Sequence, residues 1–456
     1  MKKLIIYIYL LLSVLSLDAQ HLIFQDRNYF INGVNLPWNK FGWDFGHYEV
    51  EGVGYNPSFF EQAFTELEEQ GVNCIRMWIH CDGRASPEFD EDGYVTGLDY
   101  NFFEHMDDFL ERAQQHNLMV VFVLWSHDLL EDRKVESGRF AGMHADLITE
   151  EAKLQSYLDN ALKPIVQRYK DQCNLLAWEI INEPEWAMNV PFGGTTAQVV
   201  KTKEMQYFIG RCIETIREEA AHQMVTVGSA SLMWNSDVLP EYTNYWSDQV
   251  FEDLGFDPRT VYLDFYSPHY YEWMSSAVSP FGKHVSDWAL DKPVLVGECR
   301  AANNQLSGED RLNDVWEGEY AGILFWSYNA KDAVSDWDGC KDALQTHCND
   351  NARSIVYEPE CSALYSKAYK PVYIYPNPVY DLLCFEYQNL ENQRLFLRVY
   401  DFMGRVVHTK VLEHSFTHQY SISITDLDVG LYVFEVILEQ AIGGSKQVFC
   451  EQVQVF

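Results

Sequence analysis

From about residue 22 to 365, short apolar runs alternate with longer stretches in which apolar residues recur every three or four positions. The short runs are 29–35, 72–79, 118–125, 175–182, 224–228, 261–269, 294–298 and 322–326. They are rich in β-branched and aromatic residues without strict alternation, which predicts strands buried on both faces. The longer stretches predict helices. One starts at Asn56-Pro57, with Asn as cap and Pro in the first turn, carries Phe60, Phe64 and Leu67 on one face, and stops at Gly71. A second spans about 103–116 with Met106, Leu110 and Ala113 inward, and a third spans 150–169 with Leu154, Leu158 and Leu162 inward. Eight strands with helices between them predict an α/β fold, a (β/α)8 barrel. The alternative, an open doubly wound sheet, calls for a Gly-rich phosphate loop after its first strand. Here Asn35 is followed by Leu36-Pro37-Trp38-Asn39-Lys40.

The pattern changes near residue 366. Pro371, Pro376 and Pro378 punctuate a linker, and short alternating β segments follow, broken at Met403-Gly404 and Val429-Gly430. This predicts a small all-β, sandwich-like domain. At the other end, Lys2 and Lys3 precede an apolar run, 4–17, and Ala19 follows, the pattern of a secretory signal peptide. The expected organisation is a signal peptide at 1–20, the barrel at 21–365, a linker at 366–372 and the β domain at 373–456. No later run is long and apolar enough for a transmembrane anchor.

Lys and Arg total 33 against 68 Asp and Glu, a net charge of −35, which disfavours nucleic acid and anionic lipid as partners. Aromatic residues make up 15% of the chain, enough to line a cleft as well as fill a core. Ten cysteines in an exported chain permit disulfides. Cys340, Cys348 and Cys361 fall close together after the last strand, and a bridge is expected among them, whereas Cys74 and Cys299 lie in apolar strands and are expected as buried thiols.

Two acids end apolar strands: Glu183 in Trp178-Glu179-Ile180-Ile181-Asn182-Glu183-Pro184, and Glu298 in Val294-Leu295-Val296-Gly297-Glu298. Strand C-termini of a barrel open onto its active-site face, and the fourth and seventh strands lie across the pore. Two carboxyls facing each other over a ligand are what glycoside cleavage requires: one protonates the departing oxygen, the other attacks the anomeric carbon or activates water.

Residues 177–184 and the strand ending in Glu298 resemble the retaining glycosidases of clan A, and most of all glycoside hydrolase family 5, over about residues 22–345. The resemblance implies that Glu183 is the acid/base and Glu298 the nucleophile. It implies that Arg76 holds the nucleophile ionised, that Asn182 bonds the sugar 2-hydroxyl, and that His269 orients the acid/base or the sugar. Tyr271 would bond the nucleophile, Trp326 would floor the subsite of the reacting sugar, and His127 would sit near the end of the third strand. Neither a metal nor another cofactor is implied. Trp38, Trp78, Trp125, Trp186, Trp234 and Trp273 follow or end strands and are candidate sugar platforms.

The runs 76–83, 97–100 and 176–179 look like the endo-β-1,4-mannanase branch. Where such enzymes carry paired Asn and Gly-Gly after the third strand, this chain has Ser126-His127-Asp128-Leu129, which keeps β-1,4-glucan open. The C-terminal segments 373–378, 399–405 and 430–433 resemble a type IX secretion sorting domain. The expectation is therefore a monomeric, secreted or surface-held endo-β-1,4-glycanase acting on a polysaccharide, most of all β-mannan, with the type IX machinery as its export partner. A cellulase and a non-catalytic polysaccharide-binding protein are the alternatives.

Overall fold

A computed structural model of the chain describes residues 21–46, 54–132, 134–136 and 139–358. In the C-terminal region it describes 372–375, 382–387, 393–401, 405–412, 419–423, 427, 430–440 and 446–455. The expected signal peptide, residues 1–20, lies outside the described residues. The chain divides into two compact units, Met1–Glu360 and Cys361–Phe456.

Eight strands of the first unit close into a parallel barrel. They are β1 (Ile31–Asn35), β2 (Cys74–Cys81), β3 (Met119–Ser126), β4 (Leu175–Asn182), β5 (Met224–Ser229), β6 (Ser267–Tyr270), β7 (Leu295–Arg300) and β8 (Gly322–Trp326), each paired with its sequence neighbours and β8 with β1. Every residue of β1, β2, β3, β4 and β8 is buried, which is why these runs lack period-two alternation. The hairpin Leu22–Phe24 and Arg27–Tyr29 precedes the barrel, and its Leu22 and Tyr29 cluster with Ile31, Cys74, Leu176 and Leu295 at the N-terminal ends of the strands.

Helices α1 (Pro57–Glu69) and α2 (Phe102–Gln115) pack outside, where Phe60, Phe64 and Phe109 meet edge-on at 5.0–5.2 Å between ring centres. The Asn56 side chain accepts from Phe59 N at 3.1 Å and caps α1. The second unit holds a three-stranded antiparallel sheet (Val372–Tyr375, Leu382–Tyr387, Gln419–Ser423) and a four-stranded one (Val406–Leu412, Gln393–Tyr400, Gly430–Gln440, Lys446–Val455).

Three expectations are corrected. The apolar run 261–269 is a strand only from Ser267 onward. Residues 261–266 include buried coil, pinned where Asp264 accepts from Val225 N at 2.6 Å and from the Arg217 guanidinium at 2.6 Å. Hydrophobicity reports burial, and short buried coil and strand share it. The 150–169 helix is two α segments, Glu151–Tyr157 and Lys163–Tyr169, joined by a π turn at Leu158–Leu162 just before Pro164, which has no N–H to give to an i−4 carbonyl. Cys340 and Cys348 are free thiols, as are Cys74 and Cys299. Cys340 is the N-cap of the helix Lys341–Asp350 and Cys348 lies in its last turn, so eight residues of helical rise separate them by ~12 Å, beyond disulfide reach. Cys361 lies outside the described residues, and Cys173 is disulfide-bonded.

Candidate active site

β4 delivers Glu183 to the C-terminal mouth through a local distortion. Glu183 adopts φ 49° and ψ 51°, the left-handed region, immediately before Pro184. Its N–H donates to Gly228 O at 2.6 Å. The turn that follows is tied down by buried Glu185, which accepts from Ser229 Oγ at 2.6 Å, Ala230 N at 3.0 Å and Trp246 Nε1 at 2.8 Å. β7 delivers Glu298 opposite. Glu183, His269 and Glu298 each offer an atom within 4.8 Å of the other two.

Below them lies Arg76, fully buried on β2, and its five N–H groups are all used. Nε and Nη2 fork onto Glu179 at 2.8 and 2.5 Å, and Nη2 also donates to Asn182 Oδ1 at 2.7 Å. Nη1 donates to Asn35 Oδ1 at 2.8 Å and to Glu298 Oε1 at 2.6 Å. Tyr271 donates its hydroxyl to the other oxygen of Glu298 at 2.7 Å. A guanidinium only donates, so Asn182 must present its oxygen to Arg76, which leaves its amide N–H groups for a ligand. Glycine makes the close approach possible: a Cβ at Gly228 would sit 2.1 Å from a Glu179 oxygen, and one at Gly297 would sit 3.1 Å from His269 Nε2.

Glu183 faces different partners. His269 Nδ1 lies 2.9 Å from its Oε1 and 3.6 Å from Glu298 Oε2, and Trp186 Nε1 donates to its Oε2 at 2.9 Å. Burial penalises the charge of all three groups. Against that penalty His269 and Trp186 hold Glu183 down to about 2. Burial and the charge of Glu183 push Glu298 up, although His269 and Arg76 oppose the rise. Burial opposes protonation of His269, but the two carboxylates raise its pKa above the ordinary imidazole value. These directions describe an imidazolium poised between two carboxylates. The imidazolium proton lies along the His269–Glu183 hydrogen bond, and a transfer across it gives neutral His269 and protonated Glu183. While His269 is protonated, Glu183 is the stronger anion of the pair; only after that transfer is Glu298, held by Arg76 and the Tyr271 hydroxyl, the anion. Two carboxylates and an imidazole could also hold a divalent cation, but the Arg76 guanidinium already occupies one oxygen of Glu298 with its positive charge, so such an ion fits poorly.

The eight expected site residues converge. Arg76, His269 and Tyr271 contact the carboxyls as described, and Asn182 is held by Arg76. Asn182, Tyr271, Trp326 and His127 line a cleft of ≈ 250 Å³ with Glu183 and Glu298. Trp326 donates to Asp332 at 2.7 Å and joins Trp38 and Trp78 in an aromatic cluster with ring centres 5.1–6.2 Å apart. His127 sits in the short turn His127–Leu130 after β3, its Nδ1 4.0 Å from Glu183 and without a hydrogen-bond partner. Of the other tryptophans, Trp38, Trp78, Trp186 and Trp273 line the cleft, while Trp125 and Trp234 are buried packing. Trp273 is 65% exposed and stacks flat on Tyr271 at 4.3 Å.

Sequence reasoning gave no role to Glu179, Asn35 and Glu185, and it read Trp186 as a sugar platform and not as a donor to Glu183. Glu179 carried a signal: an acid inside an apolar strand needs a cation, and Arg76 is the cation inside another.

The comparisons agree with this geometry. The profile of the cellulase family (glycosyl hydrolase family 5) matches residues 38–332, and that of the secretion system C-terminal sorting domain matches 373–448. A mannan endo-1,4-beta-mannosidase of Mytilus edulis is 29% identical over 332 residues, 69% of this chain and 87% of that protein. Another, of Cryptopygus antarcticus, is 28% identical over 347 residues, 71% of this chain and 86% of that protein. The X-ray structure of the Mytilus edulis beta-mannanase superposes with a TM-score of 0.65 at 27% identity, covering 75% of this chain and 98% of that one. The endo-1,4-beta-mannanase of Eisenia fetida does so with a TM-score of 0.65 at 27% identity, covering 72% and 94%. The sorting domain marks a secreted or cell-surface protein, and no helix among the described residues is long and apolar enough to cross a membrane. With that profile running through the strand ends that carry both carboxyls, the chain belongs to glycosyl hydrolase family 5.

Proposed function

We propose that this chain is a monomeric, retaining endo-β-1,4-mannanase in which Glu298 is the nucleophile and Glu183 the acid/base. The observation that carries the reading is the short separation of the two carboxyls, whose nearest offered atoms lie within 4.8 Å. Retaining enzymes hold their carboxyls ~5–5.5 Å apart, and inverting ones need ~6.5–9.5 Å to seat a water.

In the first step a Glu298 oxygen bonds to the anomeric carbon as the bond to the departing sugar oxygen breaks. The proton on the His269–Glu183 hydrogen bond passes through Glu183 to that oxygen. The product is a glycosyl ester on Glu298. In the second step water attacks the same carbon, Glu183 takes its proton, and the ester bond breaks to free the Glu298 carboxylate. One water is consumed, and two inversions give retention. Arg76 and Tyr271 hold Glu298 in line, and Asn182, with its oxygen engaged by Arg76, donates to the sugar 2-hydroxyl.

Mannan is favoured as substrate because the relatives above are mannan endo-1,4-beta-mannosidases. A β-1,4-glucanase is the second reading, favoured by Ser126-His127-Asp128-Leu129 after β3. A panel of β-mannan, soluble β-1,4-glucan and xylan, with product sizes and the first-formed anomer followed by NMR, tests both. Faster hydrolysis of mannan to mixed oligosaccharides, with the β-anomer first, is expected. Preference for glucan would overturn the substrate, and the α-anomer first would overturn the mechanism.

A further inference from the structure

The guanidinium of Arg76 serves two buried carboxylates. It gives Glu298 one N–H at 2.6 Å and gives Glu179 a two-pronged fork at 2.8 and 2.5 Å. Both Arg76 and Glu179 have side chains 0% exposed. The register neighbours of Glu179, Val123 on β3 and Thr226 on β5, carry no charge, and among the described residues its ion pair is with Arg76 alone. Glu298 is faced by Arg76 from β2, Glu183 after β4, His269 from β6 and Tyr271 just after it. A single positive charge is thus divided between the expected nucleophile and a carboxylate that does not line the cleft.

We propose that Glu179 is a positioning residue that sets the charge felt by the nucleophile, occupying one side of the Arg76 guanidinium so that Glu298 receives one hydrogen bond and only part of its counter-charge. Two consequences follow from the geometry. The fork on Nε and Nη2 fixes the plane of the guanidinium, so Nη1 can point only at Asn35 and Glu298, and Nη2 keeps Asn182 in place. The second carboxylate also leaves Glu298 more basic than a private guanidinium would, which strengthens its attack on carbon. This inference rests on the assignment of Glu298 as nucleophile. Its test uses whichever polysaccharide the parent enzyme hydrolyses, so a wrong substrate reading shows in the parent and leaves the test intact.

The experiment compares full-length Glu179→Gln, Glu179→Ala and Glu179→Asp with the parent, recording kcat/KM against pH and the melting temperature. Gln and Ala remove the charge, and Asp keeps it while disturbing the packing. The neutral variants are expected to move the acid limb of kcat/KM down by about one pH unit and to lower the plateau. Asp is expected to keep the limb at its parental position even where the rate falls. A limb unmoved or raised in a folded neutral variant overturns the proposal, as does an equal shift in Asp. If neither neutral variant folds, the residue is a structural ion-pair partner, and the proposal fails on that ground too.

Discussion

Glu183 shows how a single residue is aimed. Few side-chain-bearing residues sit at φ 49°, and such strain persists only where the surroundings impose it. Here Pro184, the bond to Gly228 O and the triply bonded Glu185 do so. Asn182, Glu183 and Glu298 were legible because each stands at or near the C-terminal end of an apolar strand, where a barrel opens. Glu179 was not given a role, because nothing local separates an acid paired inside a wall from one facing a cleft until Arg76 is seen forking onto it. The proton between His269 and Glu183 makes a kinetic prediction. Glu183→Ala removes both the donor for the departing oxygen and the base for water. Hydrolysis of polymer should fall ~10²–10⁴-fold, while glycosylation by an aryl glycoside with a dinitrophenolate leaving group, which needs no proton, should fall far less. Added azide, which attacks without a base, should then restore turnover of that substrate. Equal losses on both substrates, with no azide effect, would show that Glu183 does not supply the proton.

Elements were read best where burial and period agreed. α1 and α2 carry their apolar residues at helical spacing, and Asn56 caps α1 as its side-chain chemistry dictates. The run 261–269 was over-read because its buried Val261, Leu263 and Phe265 hide a pinned coil. β2 carries a second consequence. Its penultimate residue, His80, is buried against Trp125 at 4.7 Å, with Nδ1 on Ser86 O at 2.8 Å and Nε2 without a partner. Burial lowers its pKa to about 3, so the folded chain keeps it neutral where the unfolded chain protonates it. Between pH 6.5 and 3 the unfolded state therefore binds more protons, and stability falls as pH falls, by up to about 5 kcal/mol from this group. His347, lowered by burial to about 4, acts in the same direction. Asp44, raised by burial to about 7, acts in the opposite one, because its folded state binds the extra proton. The difference between variant and parent isolates His80. His80→Asn keeps a donor for Ser86 and cannot titrate. Denaturant unfolding at several pH values should show a shallower acid decline in the variant, and parallel curves would mean that His80 does not govern it.

At the scale of the whole molecule, the two units divide the work. Among the described residues, the groups that line the cleft, from Trp38 to Val334, belong to the first, and the sorting-domain match, residues 373–448, falls in the second. The barrel was legible because eight buried strands leave eight apolar runs, and the tail because its motifs fall in fixed order. The disulfide was misread because sequence proximity after β8 carried no information about the helix separating Cys340 from Cys348. If the units are independent in function, a chain ending at residue 365 should hydrolyse polysaccharide with kcat and KM within about twofold of the parent. The net charge of −35 supports the same expectation, since a neutral glycan feels no long-range attraction from charge on either unit. Expressed with residues 1–20 in a host that runs type IX secretion, the shortened chain should accumulate inside the outer membrane, while the full chain reaches the medium or the surface. Cell fractionation with activity assays reads both outcomes at once. Full export of the shortened chain would remove the sorting role from the tail, and a large loss of hydrolysis at unchanged melting temperature would show that the second unit contributes to binding the glycan.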